Sequence, residues 1–399
     1  MELIVSSKKK LLNKYGSNSF LIIEKSLNRL IDALKNDNID ALLIYIDDRE
    51  SLRRYRLLPV DPENPEKIKK LLDAIHKRIE ASYRTIVEYF LLIGGDDILP
   101  FYRVPNPVYS PNGDTDKEIY SDSPYASTDD EFLVPERAIG RIPDSGSNNP
   151  QFLLGQIENI INCHFHIQKS GGNFGYSAEA WTEASKDVYQ AMSGNQQLTY
   201  SPPATASNLS NNLLNQKKLL YFNLHGNPKT ASWYGQSKER SNLTVAFNAN
   251  QLDVIDVEQA IVFCEACYGA YIFGKEVNAS IPLKFMEQNA ECFIGSTMIA
   301  YGSDVPPISA ADVLAKYFFQ YVKEGFPYGL AFLNAKQDYA KKMIRLGLFH
   351  VDEVDAKTLL EFVLYGDPSL SWTKQESELE LIETKIVNGV TITYYKRLA

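Results

Sequence analysis

Cysteine is scarce: only Cys163, Cys264, Cys267 and Cys292 occur in 399 residues. That is too few for a disulfide-stapled scaffold, so an apolar core must hold the fold. No uninterrupted apolar run approaches about 18 residues, which leaves no membrane-spanning helix to expect. The opening residues, MELIVSSKKKLLNKYG, lack the apolar stretch of a secretory leader, and a cytoplasmic location is the simplest expectation. Lys and Arg form no long run and no basic-aromatic face, and the net charge is -9. Phosphate backbones are gripped by clustered cations, so no nucleic-acid partner is expected. Acid-rich loops do occur, in GGDDILP, GDTDKE and STDDE, but none has the ligand order of an EF-hand. No metal ligand and no cofactor are assigned.

What remains is ordinary core-forming material, 44% hydrophobic and 23% charged. Amphipathic stretches such as FLIIEKSLNRLIDALKN and NPEKIKKLLDAIHKRIEASY alternate with short apolar runs such as IDALLIYIDD and YFLLIGGDDILPF. Near-continuous apolar strands between amphipathic helices predict mostly parallel sheet covered on both faces, an α/β fold. The alternation occurs twice, around a turn-rich break at KSGGNFGYS. Two α/β subdomains are therefore expected, over residues 1–168 and 169–375. A tail over 376–399 reads as a β-hairpin about Asn388-Gly389. The Pro-, Asp- and Tyr-rich stretch 104–132 reads as a long loop, and 227–252 as another. Their exposed tips are where nicking would concentrate.

Ligands of an open parallel sheet bind beyond the carboxyl ends of its strands. His225-Gly226 closes the run LLYFNL, and Cys267-Tyr268-Gly269 follows the run IVFC. If those strands are neighbours, imidazole and thiol share one crevice, an arrangement that yields a sulfur nucleophile. Gly226 permits close backbone approach, and its N–H with that of Cys267 would hold an oxyanion. C-E-A-C also has the spacing of a metal knuckle, with Cys163, His164 and His166 as further ligands. Strand alternation argues against that, because Cys264 falls inside a strand and Cys267 beyond it. Cys163, Cys264 and Cys292 read as small core residues. His76, His164, His166 and His350 read as surface or helix-face residues.

The blocks LLYFNLHGNPKTASWYG, IVFCEACYGAYIFGK, CFIGSTMIAYGS and LEFVLYGDPSL occur in the order found in the gingipain family of cysteine peptidases. YFLLIGGDDILPFYRVPNP and YSDSPYASTDDEFLVPERAIGRIP resemble that family's first subdomain, so the likeness covers roughly residues 40 to 372. The resemblance implies a caspase-like fold and peptide hydrolysis through an acyl-enzyme. It implies that Cys267 is the nucleophile, His225 the catalytic histidine, and Gly226 with Cys267 the oxyanion site. Ser296, Thr297 and Tyr301, in GSTMIAYG, would line the substrate cleft. Glu179, with Trp181 beside it, would supply the negative charge for an Arg or Lys at P1. Ser170 stands where the family carries an acid, so a Cys-His dyad is expected. The likeness implies a polypeptide substrate, and because an intracellular peptidase must be restrained, control by an activating or inhibitory protein partner, a ligand or self-cleavage is expected. Two other readings stay open: a catalytically silent binding module, and a structural zinc protein using Cys264 and Cys267.

Overall fold

Apolar runs of about five residues become strands because both faces of each are covered, and the segments between them carry helix caps. Ser7 accepts from the Lys10 amide to start the helix Lys8–Asn36, and Asn64 does so from Lys67 ahead of Pro65. Such caps satisfy amide groups that the first helical turn leaves unpaired.

The computed structural model describes residues 1–130, 132–165, 171–194, 197–240, 242–345, 352–372, 379–387 and 390–397. The first half supplies β1 (Glu2–Ser6), β2 (Ala41–Tyr45) and β3 (Tyr89–Ile93), then β4 (Tyr102–Pro105), β5 (Glu118–Ser121) and β6 (Ala138–Ile142). The second half supplies β7 (Gly172–Ala178), β8 (Thr199–Ser201), β9 (Lys217–Asn223), β10 (Ser232–Gly235) and β11 (Thr244–Asn248). It continues with β12 (Ile261–Cys264), β13 (Cys292–Ser296) and β14 (Phe362–Gly366), and ends in β15 (Leu379–Val387) and β16 (Val390–Arg397).

Ten of these strands form one sheet in the order β2-β1-β3-β6-β14-β13-β12-β9-β7-β8. Its pairs are parallel except β13 with β14. The two series of strands therefore join edge to edge, with the late strand β14 completing the first series. Side chains alternate across the sheet as the two-residue period requires. Tyr221, Phe263 and Ile294 pack in one core with the helices Lys8–Asn36, Gln151–Phe165 and Ala310–Lys323. Phe222, Val262, Cys264 and Phe293 pack in the core on the other face. Among the described residues no helix is long and apolar enough to cross a membrane.

Three features differ from the sequence reading. MELIVSS carries no assigned element, yet Glu2–Ser6 lies between β2 and β3 in the sheet. A five-residue apolar run has too little periodicity to announce itself. The two expected loops each carry a hairpin, β4 with β5 and β10 with β11. The tail strands β15 and β16 pair antiparallel as a hairpin should. Asn388 and Gly389 lie outside the described residues, as do the expected boundaries at 168/169 and 375/376.

Candidate active site

The register of β9 against β12 sets the site. Phe222 pairs with Cys264, so His225 and Cys267 each stand three residues beyond one paired rung. Two neighbouring parallel strands thus end with an imidazole and a thiol at the same level. Gly226 is what lets the ends close up. A methyl group there would stand 2.0 Å from the Cys267 carbonyl oxygen. Gly226→Ala is therefore expected to displace the Cys267 turn and remove activity while the distant sheet stays intact, checked by peptide turnover beside thermal unfolding.

His225 is gripped on three sides. Its backbone exchanges two hydrogen bonds of 2.8 Å with Tyr234. Its Nε2 meets Gln236 Oε1 at 3.1 Å, and the Trp181 ring lies against it with centroids 4.3 Å apart. Burial lowers the imidazole pKa, the Gln236 contact opposes this, and Arg240 lowers it further.

Cys267 begins a tight turn. The Tyr268 amide donates to Met298 O at 2.7 Å, Gly269 N to Ala266 O at 2.9 Å, and Ala270 N to Ser296 O at 2.8 Å. The Cys267 Sγ lies 3.5 Å from Ala300 O, and burial pushes the thiol up to about 11. Among the described residues, no backbone carbonyl takes the N–H of Gly226 or of Cys267. The Cys267 amide lies against its own sulfur.

A cavity of about 270 Å³ opens beside the sulfur, bounded by Trp181, Arg240, Glu265, Tyr301 and Asp304. At its mouth Arg240 pairs with Asp304, so these two charges cancel. Glu265 is 6% exposed, and among the described residues both its carboxyl oxygens lack a hydrogen-bond partner. Tyr221 and Asp312 lie beside it without closing a well-aligned bond. Asp312 Oδ2 accepts from Ser303 N at 2.6 Å, while Oδ1 has no partner among the described residues. Burial, then the mutual repulsion of the pair, raises the Glu265 pKa well above the usual range, and burial brings Asp312 up to about 7.

Behind the turn, a buried polar network reaches into the first half of the chain. Tyr268 OH donates to Asp116 at 2.7 Å, Ile299 N to Asp116 at 3.0 Å, and Tyr301 OH to Asp114 at 3.1 Å. Lys357, fully buried, donates to Asp114 and lies 3.9 Å from Asp116 and 3.8 Å from Glu361. Burial raises Glu361 to about 8 although Lys357 opposes the shift. Lys357→Met would leave these carboxylates without their cation. The expected loss is about 3–5 kcal/mol of stability, read by chemical denaturation.

The expected site residues are distributed unevenly. Trp181, Cys267 and Tyr301 meet at the cavity, and His225 lies under Trp181. Glu179 is half-buried in the one-turn helix Glu179–Trp181 and does not bound the cavity. Ser296 and Thr297 are fully buried; Ser296 Oγ donates to Met298 O, and Thr297 Oγ1 to Tyr120 O and Glu361 O. They build the wall rather than face the cleft. Cys264 is a buried core residue with its thiol pKa raised by burial. His164 is buried between Asp37 and Asp367, at 2.6 and 3.1 Å, rather than on a surface. Among the described residues no group of three or more His, Cys, Asp or Glu side chains could hold a metal ion. His166, Ser170 and His350 lie outside the described residues. Glu265, Asp312 and Gln236 were not among the expected site residues.

A mostly parallel sheet covered by helices, with its cleft at the ends of β9 and β12, gives the chain a caspase-like α/β fold. The model of peptidase family C25 matches residues 19–373, and the chain belongs to that family, the gingipain family. No curated protein matches the sequence. The chain resembles the crystal structure of the Arg-specific cysteine proteinase gingipain R (RgpB) with a TM-score of 0.63 at 14% identity, covering 93% of this chain and 77% of that one. The complex of Porphyromonas gingivalis RgpB pro- and mature domains gives 0.62 at 15% identity, over 93% and 79%. A structure described only as a protease gives 0.62 at 13%, over 96% and 80%. Identities this low speak for the fold, and the family match speaks for cysteine-peptidase chemistry.

Proposed function

We propose that the protein is a cysteine endopeptidase working through a His225–Cys267 dyad, with preference for Arg or Lys at P1. The observation that carries the reading is the level ending of β9 and β12, with Gly226 packed on the Cys267 peptide. In the first step His225 takes the thiol proton as sulfur attacks the scissile carbonyl. The Gly226 and Cys267 amides receive the oxyanion. Collapse forms a thioester as His225 protonates the departing amine. A water, deprotonated by His225, then releases the acid and restores the thiol.

Glu265 supports the P1 preference, with Asp312 beside it, because a buried carboxyl that bounds the cavity and whose oxygens have no partner among the described residues favours a cationic guest. The Arg-specific relative lends the same support. Control by a protein partner, a ligand or self-cleavage is part of the proposal; a relative is complexed with its pro-domain. Lys238 and Arg240 stand exposed on the loop after β10, and residues 111–113 form the exposed tip of the loop before β5. Intact mass through an activity time course tests self-cleavage, and unchanged mass at full activity removes it. The silent-module reading rests on the resting thiol, which burial holds protonated.

A fluorogenic peptide panel varying P1, run with wild type, Cys267→Ala and His225→Ala, tests the proposal. Cleavage after Arg or Lys that both substitutions abolish supports it, and activity surviving either substitution rejects the dyad. An inactive wild type whose Cys267 also escapes a thiol-directed peptide inhibitor would favour the silent module.

A further inference from the structure

A half-buried base needs an orienting partner, and the residue that follows β7, Glu179, stands level with His225, since Ser177 pairs with Asn223. The contact on His225 comes from elsewhere. Gln236 follows β10 and presents Oε1 to His225 Nε2 at 3.1 Å. An amide oxygen only accepts, so this contact selects the tautomer with the proton on Nε2 and leaves Nδ1 as the basic nitrogen.

The amide is itself anchored. Gln236 O accepts from Ala180 N at 2.9 Å, and the preceding Gly235 packs on Ser201, where a methyl group would stand 2.2 Å from its hydroxyl. The Tyr234 bridge fixes the His225 backbone, and Trp181, one residue beyond Ala180, covers the ring face. Backbone, ring face and Nε2 are thus held by two short elements that pack on each other.

We propose that Gln236 is the positioning residue of the dyad, a neutral amide taking the place of an orienting acid. The inference rests on the peptidase reading above. A carboxylate at this place would favour the imidazolium, and hence a thiolate–imidazolium pair at rest. An amide does not. The charged group acting on the ring is Arg240, itself paired with Asp304. Glu265 and Cys267 stand at the neighbouring strand end, and Glu179 opens the one-turn helix that carries Trp181. The dyad therefore rests as thiol and neutral imidazole, and its proton moves only when substrate is attacked.

Gln236→Met and Gln236→Glu test this. The Met variant removes the acceptor at similar size, and kcat on the wild type's preferred peptide should fall about 10²-fold with KM unchanged. The Glu variant keeps the acceptor and adds charge. It should retain turnover while the acid limb of kcat/KM moves up by about one pH unit. Alkylation of Cys267 by iodoacetamide, followed by peptide mass, reads the same coupling without peptidase activity. In wild type its rate should climb toward high pH; in Gln236→Glu it should gain a plateau near neutrality. If the Met variant misfolds, the Glu variant alone carries the test. A folded Met variant within threefold of wild type, or a Glu variant with both profiles unmoved, overturns the proposal. Activity that survives Cys267→Ala would instead reject the peptidase reading.

Discussion

Cys267→Ala is expected to lower kcat by about 10⁵-fold or more, with KM for the same peptide little changed. The thiol alone bonds to the scissile carbon, so its loss removes the covalent path while the cavity survives. His225→Ala should cost nearly as much. Without a base, a thiol that burial holds near 11 is almost wholly protonated at neutral pH. The double variant should be no worse than either single one, since the two groups act as one unit. Thermal unfolding of Cys267→Ala should stay close to wild type, because the side chain lies at a turn beyond the strand. Additive losses in the double variant would contradict a dyad.

Glu265→Gln is expected to remove about 10²–10³-fold of the preference for Arg or Lys over a neutral P1, the scale of truncating one member of a buried charge pair. Glu179→Gln should leave that preference unchanged, because Glu179 does not bound the cavity. The carboxyl pair also sets a pH dependence. Asp312 titrates near 7 in the folded chain against an ordinary value of 3.8. Between about 4 and 7 the folded chain thus holds a proton that the unfolded chain has lost. Its contribution to stability is full below about 4 and disappears as pH rises through 7. Asp312→Asn should accordingly stabilise the protein at pH 8 and not at pH 4, in parallel denaturation curves. A bound cation draws the proton off, so KM for an Arg peptide should rise as pH falls below about 7. KM for a neutral peptide should not.

Much of the frame was legible in the chain itself. IVFC and LLYFN are continuous apolar runs, and such runs become strands covered on both faces. His-Gly and Cys-Tyr-Gly begin within three residues of those runs, so their place at strand ends needs no knowledge of the rest. The ordered blocks then pointed to the family that the match over 19–373 establishes. Ser296 and Thr297 show where reading by position stops. They stand in the expected segment, but both are fully buried and bonded to Met298, Tyr120 and Glu361.

The sequence by itself determined the alternation of helix and strand, the strand-end thiol and imidazole, and the need for glycine beside them. Those follow from backbone periodicity and from what a Cβ excludes, which are properties of a few neighbouring residues. Tertiary structure decided that Glu265 meets the cavity with Asp312 beside it, and what holds the imidazole. Glu265 and Asp312 come from a strand end and from the first turn of the helix Ala310–Lys323, and Asp114 and Asp116 reach Tyr301 and Tyr268 from the other half of the chain. A carboxylate becomes a binding group only when packing buries it without a partner, and that depends on residues distant in sequence.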